Sequence, residues 1–406
     1  MRQLILFMFS KRFGICVFVL FTTLSLSAQE MKYSEVKISV PKSRISTLWE
    51  YGLAFDHFTY DEKGKYIFTV VNQNDIALMR KHGVRFTIVE ADAVEAFQRK
   101  NKHSDPYQFD DRKQLKKINA RLFFESPDQP FANSITTPAA FMNPPGSMGG
   151  YYTLAEVFNL INTMRTNYPN LVKIDTIGWT FGGNRVGAAT PRPIWCVKIS
   201  DNVSTDELAE SEAMITGLNH AREGMSMMNI IFYMQYLLEN YSSNQSIKEL
   251  VDNRQMYFIP VNNPDGYKYN QDSNPSGGGL HRKNRTTTNN TTNIGTDINR
   301  NYELGWNEIG IGGTAGAPGS STDPLNDTYR GPSAMSELET QAMRDFLRTR
   351  RIRMNYNHHS FFEALIHPAC VSSVTISAAD AAFFQNSSAL MTKYNLYIPG
   401  NPNTSI

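Results

Sequence analysis

The chain has 406 residues, 41% hydrophobic and 19% charged, with 40 basic against 38 acidic side chains and a net charge of +2. That composition supplies a sizeable core, fits one large domain plus a smaller one, and excludes global disorder. The near balance of charge, with no long basic run, gives no footing for nucleic-acid binding.

Arg2, Lys11 and Arg12 precede an apolar run from Phe13 to Leu26, and Ser27-Ala28-Gln29 offers small residues for cleavage. The run is too short for the ~20 residues that span a bilayer. Residues 1–28 are therefore predicted to be a cleaved signal peptide, the mature chain to be secreted (extracellular or periplasmic), and no membrane association to remain. Cys16 leaves with that segment. Cys196 and Cys370 then remain; an exported chain could pair them, and the plainer reading is two separate buried thiols.

Residues 29–104 alternate short strands and helices. Val36–Val40, Tyr66–Val71 and Val84–Val89 have strand patterns; Ile45–Tyr51 and Asp75–His82 are helical, the latter closed by Gly83. This predicts a small α+β module. Residues 105–149 turn polar, then rich in Pro and Gly, as an exposed linker does.

The main domain, residues 150–406, opens on a Thr153-x-x-Glu156 capping box. Strands are predicted at Leu171–Ile177, Pro193–Ile199, Ala213–Gly217, Met256–Val261 and Arg353–His358. Met225–Leu238 is apolar on nearly every face and reads as a buried helix. Asn263-Pro264-Asp265-Gly266 reads as a turn, and Ser336 with Glu339 as the cap of another helix. Strands alternating with helices imply an α/β fold, a sheet flanked by helices, with its site beyond strand ends. No internal repeat is evident.

Two strand ends carry the residues suited to a metal. Gly-Leu-Asn-His220-Ala-Arg222-Glu223 follows one strand; Asn-His358-His359-Ser360 follows another. Two imidazoles and a carboxylate leave one position open on a catalytic zinc. His358 and His359 point to opposite sides of a strand, so one of them joins the site. His367 reads as an ordinary core or surface residue. His281-Arg282-Lys283-Asn284-Arg285 packs three cations into one loop. Asp297-Ile298-Asn299-Arg300-Asn301 sets an amide beside a guanidinium, and Tyr329-Arg330-Gly331-Pro332 follows.

In this order these runs resemble the zinc metallocarboxypeptidases, the carboxypeptidase A-like family M14, from about Tyr151 onward. Residues 29–104 are similar to the inhibitory activation segment found before such enzymes, so the resemblance implies a zymogen. It implies a mixed sheet flanked by helices in an αβα arrangement. It implies one Zn2+ per chain held by His220, Glu223 and His359, the last chosen because it directly precedes Ser360. It gives Arg282 the role of polarising the scissile carbonyl, Asn299 and Arg300 a grip on the substrate's C-terminal carboxylate, and Arg222 a substrate contact. A planar guanidinium suits a carboxylate, a fixed cation suits a developing oxyanion, and zinc lowers the pKa of its water to about 7.

The implied partner is a peptide or protein with a free C-terminus, acted on by a likewise implied monomer that uses no nucleic acid. The family's closing tyrosine and general-base glutamate have no match before Ile406. Glu363, four residues past His359, does not fill the latter role. The chain is therefore expected to be C-terminally truncated. Two alternatives stand beside the peptidase: a carboxypeptidase-like zinc- and peptide-binding module without turnover, and a metal amidase acting on small acylated amino acids or cell-wall peptides. No Gly-x-Ser-x-Gly or His-Glu-x-x-His run supports a serine hydrolase or a metzincin.

Overall fold

A computed structural model describes residues 31–401 apart from positions 54, 56–57, 62, 102–134, 136, 142–145, 183–189, 287–294, 308–318, 361–363, 372, 394 and 396. The signal segment, most of the linker, Glu363 and the last five residues lie outside the described residues.

The N-terminal module is a four-stranded antiparallel sheet covered by helices. Its elements are β1 (Tyr33–Ile38), α1 (Ser46–Glu50), β2 (Phe58–Tyr60), β3 (Ile67–Asn72), α2 (Gln73–Lys81), β4 (Phe86–Glu90) and α3 (Ala93–Asn101), with strand order β2-β3-β1-β4. Val36, Ile38, Ile67 and Val71 form its core with Leu48, Ile76 and Met79. β2 and α3 escape the sequence pattern. The start of α2 is also sharper than its apolar spacing suggests. Asn72 accepts from Asn74 N and Asp75 N, while Asp75 accepts from Asn72 N, a reciprocal cap.

The main domain is built on α4 (Leu154–Asn167), β5 (Val172–Trp179), β6 (Pro193–Ile199), β7 (Ser211–Thr216), α5 (Gly224–Asn240), α6 (Gln245–Asp252), β8 (Arg254–Ile259), α7 (Pro264–Ser273), α8 (Leu338–Arg348) and β9 (Ile352–Asn357). A two-stranded parallel pair follows, β10 (Ala364–Ile366) with β11 (Ile398–Gly400), and α9 (Ala378–Met391) lies between them in sequence. The five-stranded sheet has the order β5-β6-β8-β7-β9. β5–β6 and β6–β8 pair antiparallel; β8–β7 and β7–β9 pair parallel.

Alternation along the central strands shows why the sheet needs helices on both sides. Ala213 and Ile215 of β7 and Met256 and Phe258 of β8 pack with Val157, Ile161, Met227, Ile231 and Met234 from α4 and α5. Met214, Tyr257 and Ile259 face the other way, against Ala342 and Met343 of α8. α5 is apolar all round because it lies deep in the larger of these cores. β9 is the outer strand of this sheet among the described residues. Arg353, Met354 and Asn355 on it are exposed.

Two local expectations are corrected. Asn263-Pro264-Asp265-Gly266 is not a free turn but the start of α7: Asn263 Oδ1 accepts from Gly266 N, and Pro264 occupies the first turn, where its missing N–H costs nothing. Ser336 and Glu339 do not cap α8. Glu337 stands at the cap position and makes no side-chain cap bond. Ser336 Oγ donates to Glu337 instead, and Glu339 is buried, accepting from Asn284 Nδ2 at 3.1 Å. Burial first, then the adjacent Glu337, pushes the Glu339 carboxyl up to about 8.

Candidate metal centre

Parallel pairing of β7 and β9 sets Thr216 opposite Asn357, so the two strands end side by side. Thr216 Oγ1 donates to Asn357 Oδ1 at 2.6 Å, and His358 N donates to Thr216 O at 2.7 Å. The chain beyond β7 turns sharply. Leu218, fully buried, sits at φ +49°, a left-handed conformation that costs roughly 1–2 kcal/mol in a residue with a Cβ. Ser226 of α5 holds that turn, accepting from Leu218 N at 2.9 Å and donating to Glu223 O at 2.6 Å.

The turn delivers His220 and Glu223 to one point, and the end of β9 delivers His359. Glu223 Oε1 lies 2.7 Å from His220 Nδ1, and Oε2 lies 2.8 Å from His359 Nδ1. The two Nδ1 atoms are 3.1 Å apart. Ser360 N donates to Glu223 Oε2 at 3.3 Å. His220 and Glu223 are buried, while the His359 side chain keeps 31% exposure, so the group opens to solvent on one side. Ligand atoms from all three residues fall within 4.8 Å of one another. Glu223 stands at the cap position of α5 without capping it, leaving its carboxylate for this group.

A further ring of charge supports it. Asp297 Oδ1 lies 3.3 Å from His220 Nε2, and its Oδ2 accepts from Arg282 Nε and Nη2 at 2.9 and 2.8 Å. Burial alone would raise Asp297, but Arg282 and then His220 and Arg300 hold it well below the usual carboxylate range. Burial lowers His220, yet Glu223 and Asp297 outweigh it and push the imidazole up to about 9. Burial moves His359 down from its ordinary value, and His220 and Arg282 add to that.

The remaining site residues divide. Asn299 and Arg300 lie on a 3-10 turn, Ile298–Arg300, directly after Asp297. Both are half-buried, and Arg300 Nη1 donates to Asn299 O at 3.2 Å. Arg222 Nη1 donates to Asp327 Oδ2 at 3.1 Å and to Leu280 O at 3.5 Å. Arg282, expected to polarise a substrate carbonyl, lies in the interior of the site. Its guanidinium is fully buried, committed to Asp297, and 3.9 Å from Glu223 Oε1.

Arg285, from the same run, is half-buried, with its guanidinium 3.8 Å from the Tyr269 ring centroid. Sequence reasoning assigns no part to Asp297, which contacts His220 and Arg282, or to Asp327, which contacts Arg222. Asp297 does lie in the Asp-x-Asn-Arg-Asn run, where its place beside a capped turn is a usable signal. His367 stacks on Phe384, 5.9 Å between centroids, as an ordinary packing residue. Cys196 and Cys370 are both free thiols.

This donor set, two imidazole nitrogens and a carboxylate, buried on one side and open on the other, fits zinc with a position left for another ligand. The acid–imidazole contact behind His220 is the usual second support of such a ligand.

Comparison with known proteins agrees. Residues 157–392, more than half of the chain, match the family model described as zinc carboxypeptidase. A zinc carboxypeptidase from Saccharothrix mutabilis subsp. capreolus is 35% identical over 162 residues, 40% of this chain and 34% of that one. Human carboxypeptidase B is 32% identical over 205 residues, 50% of this chain and 43% of that one. The chain thus spans about a third to a half of the length of these relatives. Among solved structures, carboxypeptidase A from Helicoverpa armigera superposes with a TM-score of 0.62 at 20% identity, over 92% of this chain and 82% of that one. Thrombin activatable fibrinolysis inhibitor superposes with 0.59 at 19%, over 91% and 83%. At such identity these two share the fold.

Proposed function

The chain belongs to the zinc carboxypeptidase family, and from that membership we propose that it is the metal-holding part of a secreted exopeptidase that removes C-terminal residues from peptides or proteins. The observation that carries the proposal is Glu223, buried between two imidazoles at the ends of adjacent parallel strands.

In this reading His220, Glu223 and His359 hold one zinc ion. When bound, zinc supplies a Lewis acid that polarises a carbonyl and makes water a competent nucleophile near neutral pH. Asp297 fixes the His220 ring through Nε2, so that Nδ1 faces the metal position. Arg282 acts through Asp297: it keeps that carboxylate ionised and so keeps His220 oriented. Asn299 and Arg300 grip the free carboxylate of the substrate, since a planar guanidinium can give two parallel hydrogen bonds to it. Arg222 contacts substrate near Glu223. The α+β module before the main domain acts as an inhibitory segment, and the leader directs export. No helix among the described residues is long and apolar enough to cross a membrane.

A matched pair of peptides tests this, identical except that one ends in a free carboxylate and the other in an amide. Zinc-loaded protein should bind the first more tightly than the second, and any release of a C-terminal residue should be confined to the first. Equal cleavage of both would overturn the exopeptidase reading. Zinc-dependent binding of the free acid without release would instead favour a peptide-binding module.

A further inference from the structure

Two buried carboxyls open α8 and meet the run that carries Arg282. Glu337 stands at the cap position and Glu339 in the first turn. Both reach one amide. Asn284 Nδ2 lies 2.8 Å from Glu337 Oε2, 3.0 Å from Thr286 Oγ1 and 3.1 Å from Glu339 Oε2. The other end of the amide fixes its orientation, since Oδ1 accepts from Thr296 N at 2.8 Å and from Thr286 N at 3.4 Å. Two amide protons therefore face three oxygens, and the Glu339 oxygen stands farthest off.

The two carboxyls are unequally provided. Glu337 Oε1 also accepts from Ser336 Oγ at 2.6 Å and from Thr296 Oγ1 at 3.0 Å, a setting suited to an anion. Glu339 has Asn284 and its own backbone N–H. The charges that act on Glu339 are Glu337 and Asp265 of α7, both acidic, and Asp265 is itself paired with Arg192 at 2.6 Å. Tyr302 bears on Glu339 and Tyr329 on Glu337, and burial keeps both phenols neutral. Of the cations in the same run, Arg282 is bound to Asp297, Lys283 donates to Pro324 O and Asn326 O, and Arg285 lies over the Tyr269 ring. His281, whose Nε2 lies 3.1 Å from Asn284 O, is held neutral by burial.

We propose that Glu339 enters the fold as a carboxylic acid, and that Glu337, Asn284 and this acid form a proton-dependent clamp between α8 and the Arg282 run. Two ionised carboxyls around one amide would leave like charges together in a buried pocket, which is unfavourable unless one is neutralised. Glu339 is the group that yields, because Glu337 holds more donors. Burial and then Glu337 accordingly push Glu339 up to about 8. With the clamp open, the carboxyl regains water and falls toward the ordinary value of about 4.3. A carboxyl raised in the closed state stabilises closure fully below its open value, and that contribution is lost as pH rises through about 8. The clamped run also steadies the His220 turn, since Ala221 N donates to Arg282 O at 2.9 Å.

The clamp goes beyond the peptidase reading, and its readout needs no turnover, so the two can fail separately. Carboxyl-carbon NMR of the full zinc-loaded chain, labelled at glutamate Cδ, is followed from pH 5.5 to 9.5. One glutamate should titrate with a midpoint of about 8, and Glu339→Gln should remove that resonance. Hydrogen–deuterium exchange over the same range, corrected for intrinsic rates, reads the clamp itself at Asn284 N and Thr296 N, which donate to Thr296 O and Asn284 Oδ1. Their protection should fall by up to roughly tenfold per pH unit as far as about 8 and level off above it. In Glu339→Gln, whose amide is uncharged at every pH, protection should stay constant. Should that variant fail to fold, the unaltered chain decides alone. The absence of a glutamate titrating above neutrality, or constant protection in the unaltered chain, would overturn the clamp. So would an alkaline titration or a pH-dependent protection that survives in Glu339→Gln.

Discussion

Asp297 Oδ1 stands 3.3 Å from Nε2 of His220, on the side of the ring opposite Glu223. One imidazole is thus clamped between two carboxylates, and only its Nδ1 edge is turned to the metal position. Asp297→Asn should reduce zinc affinity by about 10- to 100-fold, as loss of such a support does. Competition against a chromophoric chelator reads this directly. Asp297→Ala should also lower stability by about 1–3 kcal/mol, because it removes the carboxylate that accepts two hydrogen bonds from the buried Arg282 guanidinium. Wild-type affinity in the asparagine variant would show that Asp297 has no part in holding zinc.

Metal content tests the ligands themselves. Folded protein should carry about one zinc per chain, as single-ion zinc sites do. His220→Ala should lower that content sharply while circular dichroism stays native. Undiminished zinc in the variant would place the ion elsewhere.

The pH dependence of uptake follows from His220. In the metal-free protein this imidazole is pushed up to about 9, whereas His359 is lowered and is neutral near pH 7. Zinc must displace the His220 proton. Affinity should therefore rise by about tenfold per pH unit on approach to about 9 and level off above it. The sign for the metal-free fold is opposite. A raised imidazole stabilises it below the free value, and that contribution is lost as pH rises through about 9. Isothermal titration between pH 6 and 10 gives the slope; a flat profile from pH 7 upward contradicts the assignment.

Arg300→Lys preserves charge but removes the planar fork. Peptides with a free C-terminus should bind on the order of tenfold more weakly, the cost of roughly one charge-assisted hydrogen bond. Their amidated counterparts should be little affected. Equal losses for both would mean that Arg300 does not read the carboxylate.

Gly266 tests how the main domain holds the His220 turn. A Cβ there would lie 2.4 Å from Lys283 O and 2.7 Å from Ala221 Cβ. Gly266→Ala should therefore push α7 off both the His220 turn and the Arg282 run, costing roughly 1–3 kcal/mol as overpacking does. Thermal melting with and without zinc checks it, and the zinc-loaded protein should show the larger drop in Tm.

Periodicity located the central strands well, since β6, β7 and β8 are short apolar runs that match their burial on both faces. His220 and Glu223 follow β7, one of these buried runs, whereas His359 follows β9, which is largely exposed. What sequence could not carry were side chains whose role depends on a distant partner. Arg282 looked like a cation in a polar loop, and only the fold buries it against Asp297, fifteen residues on. Glu339 looked like a cap and is a buried acceptor. Asp327 gave no signal, because Tyr33, 294 residues away in sequence, makes it part of a contact. β2, three residues long, was too short to show a period at all.

The β7–β9 pairing makes the metal centre a gauge of register. Glu223 and His359 are 136 positions apart in the chain, so no local segment can assemble the site; it exists only once β9 has found its place beside β7. A slip of one residue along that pair would turn His359 away and present His358 in its stead. β9, an exposed outer strand among the described residues, has little packing of its own to forbid the slip. An ion gripped by both strand ends would stabilise the correct alignment alone. Zinc uptake during refolding should therefore report the late step at which the sheet chooses its alignment.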